Sequence, residues 1–283
     1  MEWSESISRV IDYIESNITG ELTITDIAKH VNISPYYFQK GFSMICGLTV
    51  GEYIKKRRLT LAGSELVSTD EKIIDIALKY GYNSPDSFTK AFFRFHGATP
   101  TAIRRGEVAI KSFAPLKIKL PLIGRYTMNY KITKKAPFTV IGISAIFKYE
   151  TASKEIPQFW QKFNASGKNK KIANMYGISI DKDMHGDEFE YLIADNYNPL
   201  KEIPAGFTTY LIPEYTWAIF PCRGAKSMYD THRKIFTEWL PQNKDYEIAA
   251  GYNIEMYSNP LDYAKGVEDE NYYSEIWIPV RNK

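Results

Sequence analysis

The sequence has little cysteine and little histidine. It contains two cysteines, Cys46 and Cys222, and four histidines that lie far apart in the chain. Two cysteines cannot form the disulfide framework that holds many small secreted domains together, and neither belongs to a Cys-x-x-Cys pair. The histidines show no spacing typical of metal ligands. We therefore expect two packing cysteines, no bound metal and no cofactor.

Long apolar runs are also lacking. No segment approaches the roughly 18 consecutive apolar residues that a membrane helix needs. Residues 1–17 carry four acidic side chains, whereas a secretory signal has a basic start and an unbroken apolar core. With 44% hydrophobic and 24% charged residues, the composition is that of a soluble, cytoplasmic globular protein. A length of 283 residues favours two domains.

The net charge is only +3, too small to indicate a nucleic-acid-binding protein by itself. The basic residues of the first third are nevertheless clustered, in Lys55–Arg58, at Lys90 with Arg94, and at Arg104 with Arg105. Such clusters are typical of surfaces that contact phosphate groups. The distribution of charge therefore favours an anionic partner for this part of the chain.

An internal repeat occupies the same part of the chain. Ser34–Phe42 and Ser84–Phe92 lie fifty positions apart and share Ser, Pro, Phe, Lys and Phe in register. In each copy, a Ser that can cap a helix is followed by Pro, which is favourable at the first helical position. A shorter helix precedes each Ser. We therefore predict two helix-turn-helix units joined by a helix over Val50–Val67.

Each unit has a predicted buried stripe and a predicted outward face. Phe38 and Phe42, like Phe88 and Phe92, are four residues apart and so lie on one side of a helix. The outward residues are candidates for reading DNA: Tyr36, Gln39 and Lys40 in the first copy, and Asp86, Ser87 and Lys90 in the second. The alternative is a helical bundle in which the caps and stripes are only structural.

The segment 1–105 resembles the AraC-type DNA-binding domain, including its Ala77–Tyr82 and Thr99-Pro100 stretches. The resemblance implies that the helices beginning at Ser34 and Ser84 are recognition helices. It implies a transcription regulator, an activator, that binds promoter double-stranded DNA as a monomer, contacts RNA polymerase and is associated with the nucleoid. Pro85-Asp86 replaces the amide side chains of related regulators, so we expect base reading mainly by the first unit.

We divide the chain into a DNA-binding domain at 1–106, a structured connector with first strands at 107–137, and a second domain at 138–283. In the second domain, the order strand, helix, strand, strand occurs twice. The predicted fold class is therefore α+β multidomain: an all-α double helix-turn-helix domain, then a duplicated β-α-β-β domain. Its two helices should cover one face of an antiparallel sheet.

Strand alternation predicts a binding face on the other side of that sheet. Ile276 and Ile278 suit the helix layer, so Glu275 and Trp277 should point away from it, with Tyr191 and Ile193 beside them. A carboxylate among aromatic rings suits a cationic, amphipathic ligand, because a cation over a ring contributes about 0.5 to 2 kcal/mol. A Glu on a terminal strand can also be an ordinary surface charge.

Residues 112–281 resemble a GyrI-like effector-binding domain, and Glu275–Val280 matches the closing motif of that fold. The resemblance implies that Glu275 lies in a ligand cavity, and the domain order is similar to the Rob branch of AraC-type regulators. The full set of predicted ligand-binding residues is Glu275, Trp277, Tyr191, Trp160, Tyr176, Ile193 and Phe220. We expect a hydrophobic or cationic small-molecule effector and a role in multidrug response.

Two other functions remain open for the second domain. Some GyrI-like domains are hydrolases, and a buried Glu with a Tyr can act as acid or base. No nucleophile constellation is evident, although Ser227, Asp230 and His232 lie close together in the sequence, so we expect no enzyme. The domain could instead serve only to dock RNA polymerase or another protein.

Overall fold

The computed structural model describes residues 3–31, 34–117, 128–173, 175–182, 188–224 and 227–283. The helices are α1 (Trp3–Ser16), α2 (Ile24–Lys29), α3 (Pro35–Cys46), α4 (Val50–Ser68), α5 (Ile73–Lys79), α6 (Pro85–His96), α7 (Pro100–Arg104), α8 (Ala152–Ala165), α9 (Ser227–Lys234) and α10 (Leu240–Gln242). A π-helical turn, Ile235–Trp239, joins α9 to α10. Within the described ranges, no helix combines the length and the apolar character that crossing a membrane requires.

The strands all follow the helix-turn-helix part of the chain. They are β1 (Lys131–Lys135), β2 (Phe138–Lys148), β3 (Tyr176–Ile180), β4 (Glu188–Asn196), β5 (Thr208–Ile212), β6 (Tyr215–Arg223), β7 (Tyr246–Ile248), β8 (Tyr252–Tyr257) and β9 (Tyr273–Asn282). They form one antiparallel sheet in the order β1-β6-β9-β8-β3-β4-β2-β5, with β7 paired to β9.

Local sequence sets the ends of the helices in the two repeated units. The hydroxyls of Ser34 and Ser84 accept an amide hydrogen of the first turn of α3 and α6, at 3.3 and 3.2 Å. Gly47 and Gly97 end these helices with φ of 71° and 82°, a conformation that a side chain would strain. The predicted caps are confirmed, and the predicted connecting helix is α4.

The sheet confirms the predicted duplication. One unit is β2-α8-β3-β4 and the other is β6-α9-β8-β9, and the two meet where β3 pairs with β8. Buried side chains of α8 and of the π-helical turn pack on one face of the sheet. The predicted class, an all-α region followed by a duplicated β-α-β-β domain, is therefore confirmed.

Two short strands exchange between the units, and β5 was not predicted. Strand β1 precedes β2 in the chain but pairs with β6, while β5 precedes β6 but pairs with β2. The link from β1 to β2 contains Pro137, and the link from β5 to β6 contains Pro213. Proline has no N–H to donate to a strand ladder, so each proline marks a bend. Part of the predicted connector, 118–127, lies outside the described residues. The part of the connector before residue 118 contacts α4, where the Phe113 N–H donates to Thr60 Oγ1 at 3.0 Å.

The assignment of β9 side chains to the two faces agrees with alternation. Ile276 and Ile278 belong to the hydrophobic cluster that includes the helices. Trp277 belongs to a separate cluster on the opposite face. Glu275 is two residues before Trp277 and so points to the same face, away from the helix layer, because neighbouring residues of a strand point to opposite sides.

The prediction that Tyr191 and Ile193 lie beside Glu275 and Trp277 was wrong. The row of paired residues that contains Trp277 crosses β8 and β3 and reaches β4 at Leu192. Tyr191 and Ile193 flank Leu192 and therefore face the helices. A shift of one residue in register reverses every side chain, and the sequence of β9 contains no information on its alignment with β4.

The two helix-turn-helix units are packed differently. Phe88 and Phe92 belong to a core formed by α4 to α7 alone. Phe38 and Phe42 belong to a cluster that also contains Tyr191 and Phe236 of the sheet domain. Each fully buried aromatic or aliphatic side chain contributes about 1.5 to 3 kcal/mol. The first unit is therefore docked on the sheet domain, whereas the second has an independent core.

Candidate functional site

The candidate reading residues of the second unit face solvent, as predicted. Asp86, Ser87 and Lys90 are all exposed on α6. Lys90 Nζ lies 2.8 Å from Asp86 Oδ2, and the two side chains are 71% and 77% exposed. An ion pair so open to water contributes less than about 1 kcal/mol. Lys90 can therefore leave Asp86 for a phosphate at little cost.

In the first unit, Tyr36 and Gln39 are buried and Lys40 is partly buried, so the prediction of an outward face was wrong for α3. Tyr36 is 5% exposed and Gln39 is 7% exposed, and the Lys40 side chain is 16% exposed. The Phe stripe covers one side of α3, as expected. The opposite side contacts the sheet domain, which helical periodicity within one unit cannot reveal. We call Tyr36, Gln39 and Lys40 the reading face.

Two tyrosines at the start of α3 form the centre of this contact. The Tyr36 N–H donates to Asp181 Oδ2 at 3.3 Å, and the Tyr36 ring packs edge-on against Phe189 with centroids 5.2 Å apart. The Tyr37 hydroxyl donates to the carbonyl oxygen of Tyr252. Burial raises the pKa of Tyr37 well above its usual value, and the neighbouring Tyr36 adds to the shift. Tyr37 is therefore a neutral hydrogen-bond donor across the interface.

The third member of the reading face, Lys40, pairs with a carboxylate of the sheet domain. Lys40 Nζ lies 3.7 Å from Glu255 Oε1 and donates to the Tyr36 hydroxyl at 3.1 Å. The Lys40 and Glu255 side chains are 16% and 20% exposed. A partly buried pair is screened less by salt than a surface pair. The Glu255 carboxylate therefore balances the positive charge of the reading face.

Gln39 is less well accommodated. Its Nε2 is buried and has no hydrogen-bond partner among the described residues. A buried donor without a partner costs about 1 to 3 kcal/mol. The contact between α3 and the sheet domain is therefore not optimised for stability at this position.

Glu255 lies in an aromatic cage on the helix-covered face of the sheet. Its Oε2 accepts from the Tyr257 hydroxyl at 2.8 Å, and its Oε1 lies 3.8 Å from His232 Nε2. The Trp160 ring packs edge-on against Tyr257, and Trp160 Nε1 donates to the Tyr191 hydroxyl at 3.0 Å. We call these five residues the Glu255 cage.

Burial keeps most groups of the Glu255 cage uncharged. It lowers the pKa of His232 well below 6.5, and the Lys40 ammonium lowers that pKa further. Burial raises the pKa of Tyr191 and of Tyr257 well above 10, and the Glu255 carboxylate adds to both shifts. The charges that meet in the cage are therefore those of Glu255 and Lys40.

A cavity of about 300 Å³ adjoins the Glu255 cage, between α3 and the sheet domain. This size is at the lower end of the range for small-molecule sites. The reading face forms one wall. The opposite wall includes Tyr149, Ile156, Phe189, Tyr191 and Glu255. The cavity is thus mainly apolar, with one carboxylate and one ammonium at its edge.

Glu275, the carboxylate predicted from the sequence, is engaged by its own strand and by β1, since Lys131 Nζ lies 3.8 Å from Glu275 Oε1. Trp277 Nε1 and the Tyr273 hydroxyl donate to its two oxygens, each at 2.6 Å. Burial, together with the bond to Glu275, raises the pKa of Tyr273 to about 12. Lys135 Nζ lies 4.5 Å from the centre of the Trp277 ring. The cation position over Trp277 is therefore filled by the chain itself.

The structure divides the predicted ligand-binding residues between two faces. Tyr176 packs against Trp277, with ring centroids 6.1 Å apart, on the side of Glu275. Tyr191 lines the cavity on the helix side, with Trp160 bonded to it. Ile193 and Phe220 are fully buried in the helix-side core. The prediction had placed all of them around one carboxylate.

Sequence reasoning missed Glu255, although a signal was present. Glu255 stands two residues before Tyr257, much as Glu275 stands two residues after Tyr273. A carboxylate in an otherwise apolar strand could have been singled out. Its partner Lys40 could not, because the two are far apart in the chain.

Comparison with known proteins covers both parts of the chain. Residues 27–106 match the family model described as a helix-turn-helix domain, and residues 131–280 match the integron-associated effector binding protein. The HTH-type transcriptional activator AarP of Providencia stuartii is 37% identical over 117 residues, which are 41% of this chain and 87% of AarP. Regulatory protein SoxS of Salmonella typhimurium is 38% identical over 104 residues, 37% of this chain and 97% of SoxS.

A solved structure, that of SAV2435 bound to tetraphenylphosphonium, is similar to part of this chain. It has a TM-score of 0.46 and 20% identity, over 54% of this chain and 94% of that chain.

Two helix-turn-helix units followed by a helix-covered sheet define a two-part, DNA-binding transcription regulator. The chain belongs to the AraC-type regulators, and its second half belongs to the integron-associated effector binding protein family.

Proposed function

We propose that this regulator is an activator whose DNA binding responds to a hydrophobic, cationic effector bound at the Glu255 cage and the adjoining cavity. One observation carries the proposal. The Lys40 ammonium lies 3.7 Å from Glu255 Oε1, among aromatic and apolar side chains. The site thus already accommodates one organic cation.

The chemistry of the cage favours this ligand class over neutral compounds. Each aromatic ring that meets a cation contributes about 0.5 to 2 kcal/mol. Apolar parts of the ligand contribute about 25 cal/mol for every Å² removed from water. A neutral ligand that displaced Lys40 would leave the partly buried Glu255 carboxylate without a counter-charge, which is costly.

The face of Glu275, Trp277 and Tyr176 is the second place where the same ligand class could bind. There, Lys135 already stacks over Trp277, and both Glu275 oxygens accept hydrogen bonds. A ligand would have to displace Lys135 from the Trp277 ring and Lys131, whose Nζ lies 3.8 Å from Glu275 Oε1, and it would gain no carboxylate oxygen that lacks a hydrogen bond. The proposal therefore favours Glu255, and the two positions can be tested separately.

For DNA, we propose that Tyr36, Gln39 and Lys40 contact bases, and that Asp86, Ser87 and Lys90 contribute phosphate or shape recognition. A monomer supplies two units on one chain and can cover two successive major-groove segments. The DNA-binding, connecting and effector-binding parts are 1–106, 107–137 and 138–283. Contact with RNA polymerase and a place at the nucleoid complete the proposal.

We propose no catalytic role for the second domain. The Ser227 hydroxyl donates to the Gly224 carbonyl oxygen at 2.6 Å, whereas His232 faces Asn253 and Glu255. A serine nucleophile needs a base within hydrogen-bond reach of its hydroxyl. The arrangement on α9 therefore supports a structural role for these residues.

Titration calorimetry with tetraphenylphosphonium, a lipophilic cation, tests the effector site. Glu255→Gln should weaken binding about tenfold, because one charge is lost from a desolvated pair. Glu275→Gln should change affinity little. The control is Glu247→Gln, at an exposed carboxylate paired with Arg281. If only Glu275→Gln weakens binding, the site lies at Trp277, and if the wild-type protein does not bind the probe, the ligand class is wrong.

Gel-shift experiments with genomic fragments at a stated salt concentration test the DNA proposal. The double substitution Gln39→Ala with Lys40→Ala should abolish specific binding but leave weak, salt-sensitive binding by the second unit. Specific binding that survives both substitutions would show that α3 does not read bases.

A further inference from the structure

The side chains proposed to read DNA form one wall of the proposed effector cavity. We propose that Lys40 acts as a tethered cation in the effector site, so that the sheet domain locks the first reading helix until a cationic effector displaces it. This inference rests on the proposed function and adds its regulation. Effector binding and DNA binding then favour each other.

Docking of α3 on the sheet domain sterically blocks base reading by the first unit. Base reading requires that side chains of a recognition helix reach into the major groove. Tyr36 is covered by Phe189 and Tyr149, and Gln39 is 7% exposed. Duplex DNA cannot approach these side chains while α3 is docked. Release of α3 from the sheet domain must therefore precede base contact by the first unit.

Lys40 and a cationic effector would compete for the same carboxylate, that of Glu255. Glu255 Oε2 is bonded to Tyr257, so Oε1 is the oxygen that faces Lys40. His232 also faces Oε1 but is held neutral by burial. The cage therefore balances one positive charge. An effector cation and Lys40 would repel each other if both were bound, and so they compete for one carboxylate.

The strength of the lock depends on the polar contacts between the reading face and the sheet domain. The contacts that hold the reading face are long for their type, at 3.3 Å for Tyr36 N–H to Asp181 and 3.7 Å for Lys40 to Glu255. Gln39 Nε2 lacks a partner among the described residues and would gain one, from water or a base, on release. Release must also break the hydrogen bond from Tyr37 to the Tyr252 carbonyl oxygen, so binding of the effector has to offset that bond as well.

Because the second unit stays exposed, the docked protein can already bind DNA, and release of α3 raises this DNA affinity. Its core is formed by α4 to α7 and does not include the sheet domain. Asp86, Ser87 and Lys90 stay exposed in the docked state. The locked protein therefore retains one DNA-binding unit, and the effector adds the other. By linkage, DNA must raise the affinity for the effector by the same factor.

The test measures DNA affinity of the full chain by fluorescence anisotropy, with a duplex selected from random-sequence DNA and one salt concentration throughout. Without ligand, Glu255→Gln should bind this duplex about fivefold more tightly than the wild type, since Lys40 loses its counter-charge. Tetraphenylphosphonium should raise the wild-type affinity by a similar factor and should not raise that of Glu255→Gln. Glu247→Gln, the control at an exposed carboxylate, should behave as the wild type.

A second variant separates the lock from the ligand charge. Tyr37→Phe removes the hydrogen bond that α3 donates to the Tyr252 carbonyl oxygen but keeps Glu255 and the lining of the cavity, so it should raise basal DNA affinity while still binding tetraphenylphosphonium. Hydrogen exchange distinguishes release from unfolding. The Tyr36 amide, which is bonded to Asp181, should lose protection in both variants and in the liganded wild type, while β3 and β9 remain protected.

The outcomes are distinct for the two proposals. If tetraphenylphosphonium binds at Glu255 but neither variant changes basal DNA affinity or Tyr36 protection, the lock is overturned and the effector site stands. If both variants raise basal affinity and no binding of the probe is detected, the lock is supported and the proposed ligand class fails. A ligand that lowers DNA affinity would overturn the direction of coupling.

Discussion

Acid should destabilise the sheet domain through His232. This residue is 3% exposed, and its Nε2 lies 3.5 Å from Asn253 Oδ1 and 3.8 Å from Glu255 Oε1. Burial, and then Lys40, hold its pKa well below 6.5 in the folded protein. The unfolded chain therefore binds a proton that the folded chain does not. The stability is fully present above pH 6.5 and is lost as the pH falls toward the folded pKa.

The size of the effect follows from the proton balance. One proton bound only by the unfolded chain changes the free energy of unfolding by about 1.4 kcal/mol per pH unit below 6.5. Between about pH 7.0 and about pH 5.5, His232 alone should remove about 1.2 kcal/mol. Glu15 and Glu190 have pKa values lowered from 4.5 by hydrogen bonds that outweigh their burial, so they titrate below this range.

Urea unfolding followed by tryptophan fluorescence at several pH values measures this loss. Trp160, Trp217, Trp239 and Trp277 all report on the sheet domain. His232→Gln should reduce the loss between about pH 7.0 and about pH 5.5 by about 1.2 kcal/mol. His30→Gln, at an exposed histidine stacked on Tyr13, is the control. The reasoning is refuted if the wild type and His232→Gln show the same pH dependence.

Three further predictions concern the helical units and the sheet. Glu15→Ala should lower the free energy of unfolding by about 3 kcal/mol, because Arg57, 6% exposed, donates to both Glu15 oxygens and would be left unpaired. Glu247→Ala at the exposed pair with Arg281 should cost less than about 1 kcal/mol, and equal losses would contradict the argument. Gly142→Ala should cost at least about 2 kcal/mol in thermal unfolding, because a Cβ there would overlap the Ile193 carbonyl oxygen, whereas Gly20→Ala should be mild. Lys90→Ala should reduce the slope of log affinity against log salt by about 1, and an unchanged slope would place Lys90 off the phosphates.

Features that depend on neighbours in the chain could be predicted from the sequence. The caps at Ser34 and Ser84 and the stripes Phe38–Phe42 and Phe88–Phe92 involve residues within one or two turns of each other. The physics of helix initiation and amphipathicity is therefore contained in a short segment. The duplicated order of strands and helices followed in the same way from local alternation, and the family resemblance identified DNA as the partner.

The candidate effector site could be predicted only in part. Tyr191 and Trp160 were identified and do lie together, but they surround Glu255 rather than Glu275. Strand parity decides which residues of one strand share a face. It does not decide how those residues align with β4, which lies three positions from β9 in the sheet. Register between β4, β3, β8 and β9 is set when the whole sheet pairs, so the choice of carboxylate depended on the fold.

Two helix-turn-helix units and a duplicated sheet domain can be deduced from the sequence, because those properties arise from local capping, spacing and alternation. The burial of α3 and the exposure of α6, the two candidate reading helices, depend instead on tertiary packing. Tyr36, Gln39 and Lys40 meet Asp181, Phe189 and Glu255 across more than a hundred residues of chain. Contacts over such separations depend on how the two domains dock, which no local pattern encodes.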